Sequence, residues 1–282
     1  MCDTCESCNP HKAMGHAHSH SHPHEHHPHD HGHSHAHPHV HDHEHGHSHS
    51  HEAIEGMDLN LPLLEANDDA AALNRKRMEN AGVRCINLMS SPGSGKTTLL
   101  ERTLAELEGS PRVAVIEGDM TTELDADRLR AYGAPVVAIT TGRSCHLEAE
   151  QIGASLQHLD ETGGLERFDL LVIENVGNLI CPAVFELGEH VRVVLVAVTE
   201  GEDKPLKYPI MFHGADCVVL TKMDIAPYLR LNVEQLKANI REVNPHATIF
   251  AFSAETGEGV DTWLTWLRAQ VASRDREPVA AL

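Results

Sequence analysis

Residues 85–100 read CINLMSSPGSGKTTLL. The first six residues form a largely apolar run of strand length. Gly93 and Gly95 follow, and Lys96, Thr97 and Thr98 lead into Leu99 and Leu100, the opening of a helical pattern. Strand, glycine-rich turn and helix in that order is the setting in which G-x-x-x-x-G-K-S/T cradles phosphate. Glycines let backbone N–H groups curl around the β-phosphate, and a helix N-terminus favours the anion. Lys96 is expected to bridge the β- and γ-phosphates and the Thr97 hydroxyl to bind Mg²⁺, with Gly93, Ser94, Gly95 and Thr98 completing the cradle. Ser90 stands where the pattern has its first glycine.

Outward from the loop, RVAVIEGD, PVVAIT, DLLVIEN, VRVVLVAVT, ADCVVLTK and ATIFAFSA repeat the strand signature, rich in Val and Ile and apolar almost throughout. Such runs belong to a parallel sheet covered on both faces. Helical patterns fall near 97–108, 122–131, 146–160, 232–243 and 259–273. The expected fold is a doubly wound α/β domain with a mostly parallel sheet, over 83–274. Cys85 and Cys217, inside strand patterns, are expected to be core residues. Upstream, LPLLEANDDAAALNRKRMENAG reads as an amphipathic helix within a 52–82 linker. Leu63, Leu64, Ala71 and Met78 are expected to face inward, with Gly82 as C-cap and the helix on the domain edge. Residues 275–282 form a short C-terminal tail.

The sixth strand ends in LTKMD. An N-K-x-D reader sets its carboxylate against the guanine N1–H and 2-amino group, a donor pair adenine lacks. Lys222 and Asp224 fit that role, with Thr221 in place of Asn. FSAETGEG follows the next strand, and Ser253 and Ala254 resemble the segment whose backbone meets the guanine carbonyl. GTP is therefore expected over ATP. Two acids end strands at the carboxyl edge, where ligands of such sheets sit. Asp119 closes VIEGD and is expected to bind Mg²⁺ or orient water, with a strand-end cap as the alternative. Glu174 ends the strand in VIENVGN, and Glu174-x-x-Gly177 resembles the D-x-x-G switch with Glu for Asp, in which the acid reaches Mg²⁺ through water and the glycine amide senses the γ-phosphate. With no obvious catalytic Gln or arginine finger, hydrolysis is expected to be slow.

A second chemistry overlaps the first. GRSCHLEAE places Cys145 beside His146 just before a helical pattern, and NLICP supplies Cys181 four residues beyond Gly177. Two thiols and an imidazole are soft or borderline metal ligands, and a helix N-terminus would favour the Cys145 thiolate. Buried structural cysteines are the alternative. The N-terminus adds Cys2, Cys5 and Cys8 over residues 1–10, and the stretch 11–51 holds 20 of the 25 histidines. Its spacers are small or polar, so it cannot bury enough surface to order itself. A purification tag or a pH-sensitive linker would share this composition. As a store for borderline transition metals it would hold on the order of five to ten ions.

The full chain of 282 residues carries a net charge of −20 with histidine neutral, and 21 basic against 36 acidic residues remain from residue 52 onward. That balance argues against nucleic acid as a partner. No apolar stretch is long enough to span a membrane, and MCDTCESC lacks the apolar core of a signal peptide. The chain is read as cytoplasmic, where seven cysteines favour metal over disulfides.

SSPGSGKTTLL, SCHLEA, IENVGNLICP, TEGEDKPLKYP and TKMD, in that order over roughly 60–274, resemble the HypB family, the nickel-incorporation GTPases of nickel–iron hydrogenase maturation. The resemblance implies a GTP-dependent homodimer of the class that includes the signal-recognition and urease nickel GTPases. It implies metal at Cys145, His146 and Cys181. It further implies nickel delivery to the hydrogenase large-subunit precursor with a zinc-binding HypA-type accessory protein. The family's tight N-terminal site is C-x-x-C-x-C, whereas the third cysteine here is one residue late. A urease-type nickel GTPase, a metal store with an idle nucleotide domain and an ATP-dependent small-molecule kinase are the competing readings.

Overall fold

The structure, a computed structural model, describes residues 61–273, with the side chains of 61 and 62 left aside. The N-terminal cysteines, the histidine run and the C-terminal tail lie outside the described residues.

Seven strands form one sheet in the order β3-β2-β4-β1-β5-β6-β7. They are β1 Arg84–Ser90, β2 Val113–Asp119, β3 Val136–Thr140, β4 Leu170–Glu174, β5 Val191–Ala197, β6 Cys217–Thr221 and β7 Thr248–Ala251. Every pairing is parallel. All seven expected strands are present, and the sheet is wholly parallel among the described residues.

One layer, packed around Trp263, Leu99 and Leu267, comes from α2 Lys96–Leu107 and α9 Val260–Ser273. The opposite face is covered by α1 Leu61–Asn80 and α4 Ala149–Glu161 over β1, β2 and β4, through Met78, Ile152, Leu156 and Ile173. Over β5 and β6 it is covered by α7 Pro209–His213 and α8 Val233–Val243. The short helices α3 Leu124–Arg130, α5 Cys181–Val184 and α6 Lys204–Lys207 follow β2, β4 and β5, and α3 joins the first layer through Leu129. The expected helices are found with ends displaced by at most three residues; α5, α6 and α7 are too short to carry a periodic signal. Cys85 and Cys217 are core, and burial pushes both thiols above their usual range.

Helix α1 does more than line an edge. Its inward stripe is Asn67, Ala71, Asn74 and Met78, all buried, at helical spacing. Leu63, expected in the core, is 66% exposed. Glu65 and Ala66 are exposed as well, and Leu64 is half-buried. Gly82, at φ +69, ends the helix with Val83 N–H bonding the Met78 carbonyl at 2.9 Å and Gly82 N–H bonding that of Glu79 at 3.0 Å. That pairing is a Schellman cap, made cheap by glycine in the left-handed region.

Candidate nucleotide site and metal centre

The phosphate loop leaves the central strand β1 and enters α2 at Lys96. Gly93 and Gly95 have φ of +73 and +94, a conformation that side chains penalise. Lys96 Nζ donates to Ser90 Oγ at 3.0 Å, so the serine in place of the first glycine holds the lysine inside the loop. Burial lowers the Lys96 pKa against the pull of Glu174. Ser94 Oγ donates to Glu200 Oε1 at 2.7 Å, and Ser91 Oγ bonds the other carboxylate oxygen. Glu200 ends the 3₁₀ turn that leaves β5, and also accepts from Ala197 N–H at 2.9 Å and pairs with Lys204 at 3.2 Å. Burial works to raise its pKa; these donors outweigh it and hold the acid ionised.

Two carboxyls are sunk beside the loop. Glu117 of β2 and Glu174 of β4 are register partners, so their side chains leave the same face of the sheet. They are 2% and 3% exposed. Thr97 Oγ1 donates to Glu174 Oε1 at 2.7 Å, while the Oε2 atoms of both acids have no hydrogen-bond partner. Burial pushes Glu174 up to about 7, against the attraction of Lys96. Burial and then the Glu174 charge push Glu117 up to about 8. Two buried oxygens without partners, next to a threonine hydroxyl, are a hard-donor set suited to a divalent cation such as Mg²⁺. Asp119, two residues beyond Glu117, instead turns Oδ1 onto the N–H groups of Thr121 and Thr122, both at 2.9 Å. Partial burial works to raise its pKa, and the amides outweigh it and hold it low. That geometry is the strand-end cap.

The residues expected to read the base converge. Thr221 Oγ1 donates to the Ser94 carbonyl at 2.6 Å, tying β6 to the phosphate loop from the position where the pattern has Asn. Lys222 adopts φ +59, a left-handed turn that starts the 3₁₀ segment carrying Asp224. Ser253 Oγ donates to Asp224 Oδ1 at 2.7 Å and accepts from Thr256 N–H at 3.2 Å, which fixes the carboxylate's direction. Ala254 follows in the same loop, partly buried against the core. Thr98 is exposed, its hydroxyl 3.5 Å from Arg128 Nη2.

Cys145, His146 and Cys181 also come together, with one ligand atom from each lying within 4.8 Å of the others. The two sulfurs are 3.1 Å apart, and Cys145 Sγ is 3.9 Å from His146 Nδ1. The neighbouring Cys145 thiol, with burial, raises the Cys181 pKa. Burial lowers that of His146, which keeps the imidazole neutral and able to ligate. The His146 ring lies on Phe185 with centroids 3.9 Å apart. The expected helix start near 146 is corrected: α4 begins at Ala149, capped by Glu148, so Cys145 precedes the turn in which a helix dipole acts. Cys181 is instead the first residue of α5.

One segment touches both sites. Gly177, three residues past Glu174, presses so closely on the phosphate loop that a Cβ there would lie 2.9 Å from Pro92 Cα. Glu117 and Glu200 were absent from the sequence-based set. A Glu inside the apolar run VAVIEGD is the signal for the first; nothing marks Glu200 beyond its place in TEGEDKPLKYP.

Residues 84–251 match the model of the CobW/HypB/UreG nucleotide-binding domain. The Azotobacter vinelandii hydrogenase maturation factor HypB is 50% identical over 220 residues, 78% of this chain and 71% of that protein. The structure of HypB from Helicobacter pylori in complex with nickel is 40% identical, with a TM-score of 0.71 over 77% of this chain and all of that one. HypB from Archaeoglobus fulgidus is 39% identical, with a TM-score of 0.69 over 74% of this chain and all of that one.

Proposed function

From the premise that the chain belongs to the HypB hydrogenase maturation factors, within the CobW/HypB/UreG family of P-loop nucleotide-binding proteins, we propose that it is a nickel metallochaperone run by GTP. It hydrolyses GTP slowly to GDP and phosphate. As a homodimer working with a HypA-type partner, it hands Ni²⁺ to the large-subunit precursor of a nickel–iron hydrogenase. Nickel is its cargo, and Zn²⁺ is a competitor for the same soft ligands.

The geometry supports a role for each residue in this reading. Asp224, aimed by Ser253, reads the guanine edge, with Lys222 over the base. Lys96 leaves Ser90 for the β- and γ-phosphates, and Glu200 holds the Ser91 and Ser94 hydroxyls so that the loop keeps its shape while empty. Thr97, Glu174 and Glu117 would hold Mg²⁺, which supplies charge neutralisation at the phosphate oxygens. Asp119 keeps the turn after β2 in place. Cys145, His146 and Cys181 take the cargo from the cysteine and histidine segments upstream, whose ligands keep nickel close to the domain.

The observation that carries this reading is the single run from Glu174 through Gly177 to Cys181, which meets the phosphate loop at Gly177 and the Cys145 thiol at Cys181. Capture of the Gly177 amide by a γ-phosphate displaces Cys181. Coupling is reciprocal, and a typical ~1–3 kcal/mol makes nickel affinity differ roughly 5- to 150-fold between nucleotide states. The test replaces Cys2, Cys5 and Cys8 by Ser, so that thiolate-to-nickel charge-transfer absorption comes from the domain, and titrates nickel with GDP and with a non-hydrolysable GTP analogue. Different midpoints that become equal in Cys181→Ala support the reading. Equal midpoints in the parent refute it.

A further inference from the structure

The three ligands reside on two separate limbs. Cys145 and His146 precede α4; Cys181 opens the limb that runs through Phe185 and Leu187 to β5. Residues 145–148 and 185–190 are irregular, so no strand ladder joins the limbs. Helix α1 does. Asn67 Oδ1 accepts from Ala149 N–H at 2.9 Å, while its Nδ2 donates to the Glu186 carbonyl at 2.7 Å. Asn74 Nδ2 donates to the Ala149 carbonyl at 2.7 Å and to that of Leu187 at 3.2 Å. Each asparagine therefore binds one limb and the other at once, and both are buried.

Backbone packing adds to these bonds. Gly188 sits at φ +94 with its Cα so near α1 that a Cβ would meet the Ala71 carbonyl at 2.5 Å, and a Cβ on Gly153 would meet Asn74 Oδ1 at 3.1 Å. Ala149 is three residues from His146, and Phe185, which carries the His146 ring, adjoins Glu186. A three-ligand site split over two loops binds weakly unless the loops are held in place beforehand, because binding must otherwise pay to order them.

We propose that Asn67 and Asn74 are positioning residues of the metal centre, and that α1 is the clamp holding its two limbs at chelating distance. This rests on the reading of Cys145, His146 and Cys181 as the cargo site. Losing either asparagine should raise the nickel midpoint of that site roughly tenfold, as loss of a group that orients metal ligands does elsewhere. Nucleotide affinity and GTP hydrolysis should stay unchanged.

The test uses the full chain with Cys2, Cys5 and Cys8 replaced by Ser. Cys85 and Cys217 are both 0% exposed, so the charge-transfer band reports Cys145 and Cys181. Asn74→Ala and Asn67→Ala are compared with Thr103→Val, which deletes the hydroxyl accepting from Trp263 Nε1 at 2.9 Å in the opposite layer. A tenfold shift in the asparagine variants, with none in Thr103→Val, supports the clamp. A shift below twofold, or an equal shift in Thr103→Val, overturns it. If the asparagine variants do not fold, Gly153→Ala decides. It improves helix propensity while crowding Asn74, so a weakened band supports the clamp and an unchanged one refutes it. A parent without any band overturns the cargo-site reading itself, and this proposal with it.

Discussion

Glu117→Gln should make the empty protein more stable while damaging its function. Glu117 is 2% exposed in the middle of an apolar strand. Burial first, then the charges of Glu174, Asp119 and Asp125, push its pKa from 4.5 to about 8. At pH 7 the unfolded chain has released this proton and the folded protein holds it, so folding must take a proton up. The penalty is 2.303RT for each unit between 4.5 and 7, about 3 kcal/mol. Glutamine has the same shape and no proton to take up, but its unpaired amide hydrogen returns roughly 1 kcal/mol of that. A net gain of about 2 kcal/mol raises the midpoint of a domain this size by roughly 4–8 °C. The sign with pH follows. A raised folded-state pKa contributes stability that is complete below pH 4.5 and lost as pH rises through 8. The variant's advantage is therefore absent near pH 4.5 and largest above 8. Thermal unfolding by circular dichroism, in chelator and without nucleotide, measures it. With Mg²⁺ and a GTP analogue the order should narrow or reverse, because the variant lacks a cation ligand, and hydrolysis should fall. A variant no more stable at pH 7, or equally favoured at pH 4.5 and 8, would refute the argument.

Asp224→Asn should exchange GTP preference for XTP, because the base donor at position 2 becomes an acceptor; competition binding in which GTP still wins would remove Asp224 as base reader. His190 accepts the Cys85 N–H on Nδ1 at 3.0 Å, and burial, helped by Arg84 and Arg75, lowers its pKa to about 4. A lowered folded-state pKa means that stability present above pH 6.5 is lost as pH falls toward 4, by about 2 kcal/mol after allowance for solvent screening. His190→Asn, which offers Oδ1 in place of Nδ1, should flatten that acid limb in pH-dependent denaturant melts, and an unchanged slope would dismiss it. A chain trimmed to 52–282 should bind several fewer nickel ions by equilibrium dialysis yet hydrolyse GTP at the parent rate. Equal stoichiometry would end the storage reading, and binding by the histidine run should fade below pH ~6.5, where imidazole protonates.

What the sequence made legible was whatever repeats along the chain. Seven apolar runs gave seven strands, because a parallel sheet covered on both faces leaves no polar alternation to blur them. The placement of β4 between β2 and β1 has no local signature, yet it sets Glu174 beside Glu117. Glu117 was missed for that reason: one acid in a strand is ambiguous, and two in register across a ladder are not. Asp119 ends a strand, which suits a ligand or a cap equally, and only the turn amides on Oδ1 bring out the cap. The asparagines of α1 were hidden by a similar preference. A search for leucines on the inward stripe finds Leu63, which is exposed, and passes over Asn67 and Asn74, whose burial depends on loop carbonyls far away in sequence.

The ties around the metal centre are unequal, and this bears on how a nucleotide could move it. Asn175, buried next to Glu174, accepts from Leu147 N–H at 3.3 Å and Val176 N–H at 2.9 Å, and donates to Asn87 of β1 at 3.3 Å. The limb with Cys145 and His146 is thus fastened to the central strand on one side and to α1 on the other. Cys181 is held differently. Between Gly177 and Cys181 the chain shows an exposed Ile180, and α5 is a single turn. Beyond α5, the limb is fastened again from Glu186 onward. Leu179 lies in the core cluster with Val194, Val196 and Leu220, and Pro182 is buried, so the stretch from 177 to 185 is seated along its length, with one end on the phosphate loop. In the proposed coupling, a γ-phosphate that draws Gly177 would pull on Cys181 through Leu179, while Asn175 and α1 hold the Cys145–His146 limb. One thiolate would then move against two fixed ligands, so a small displacement would open or close the coordination shell.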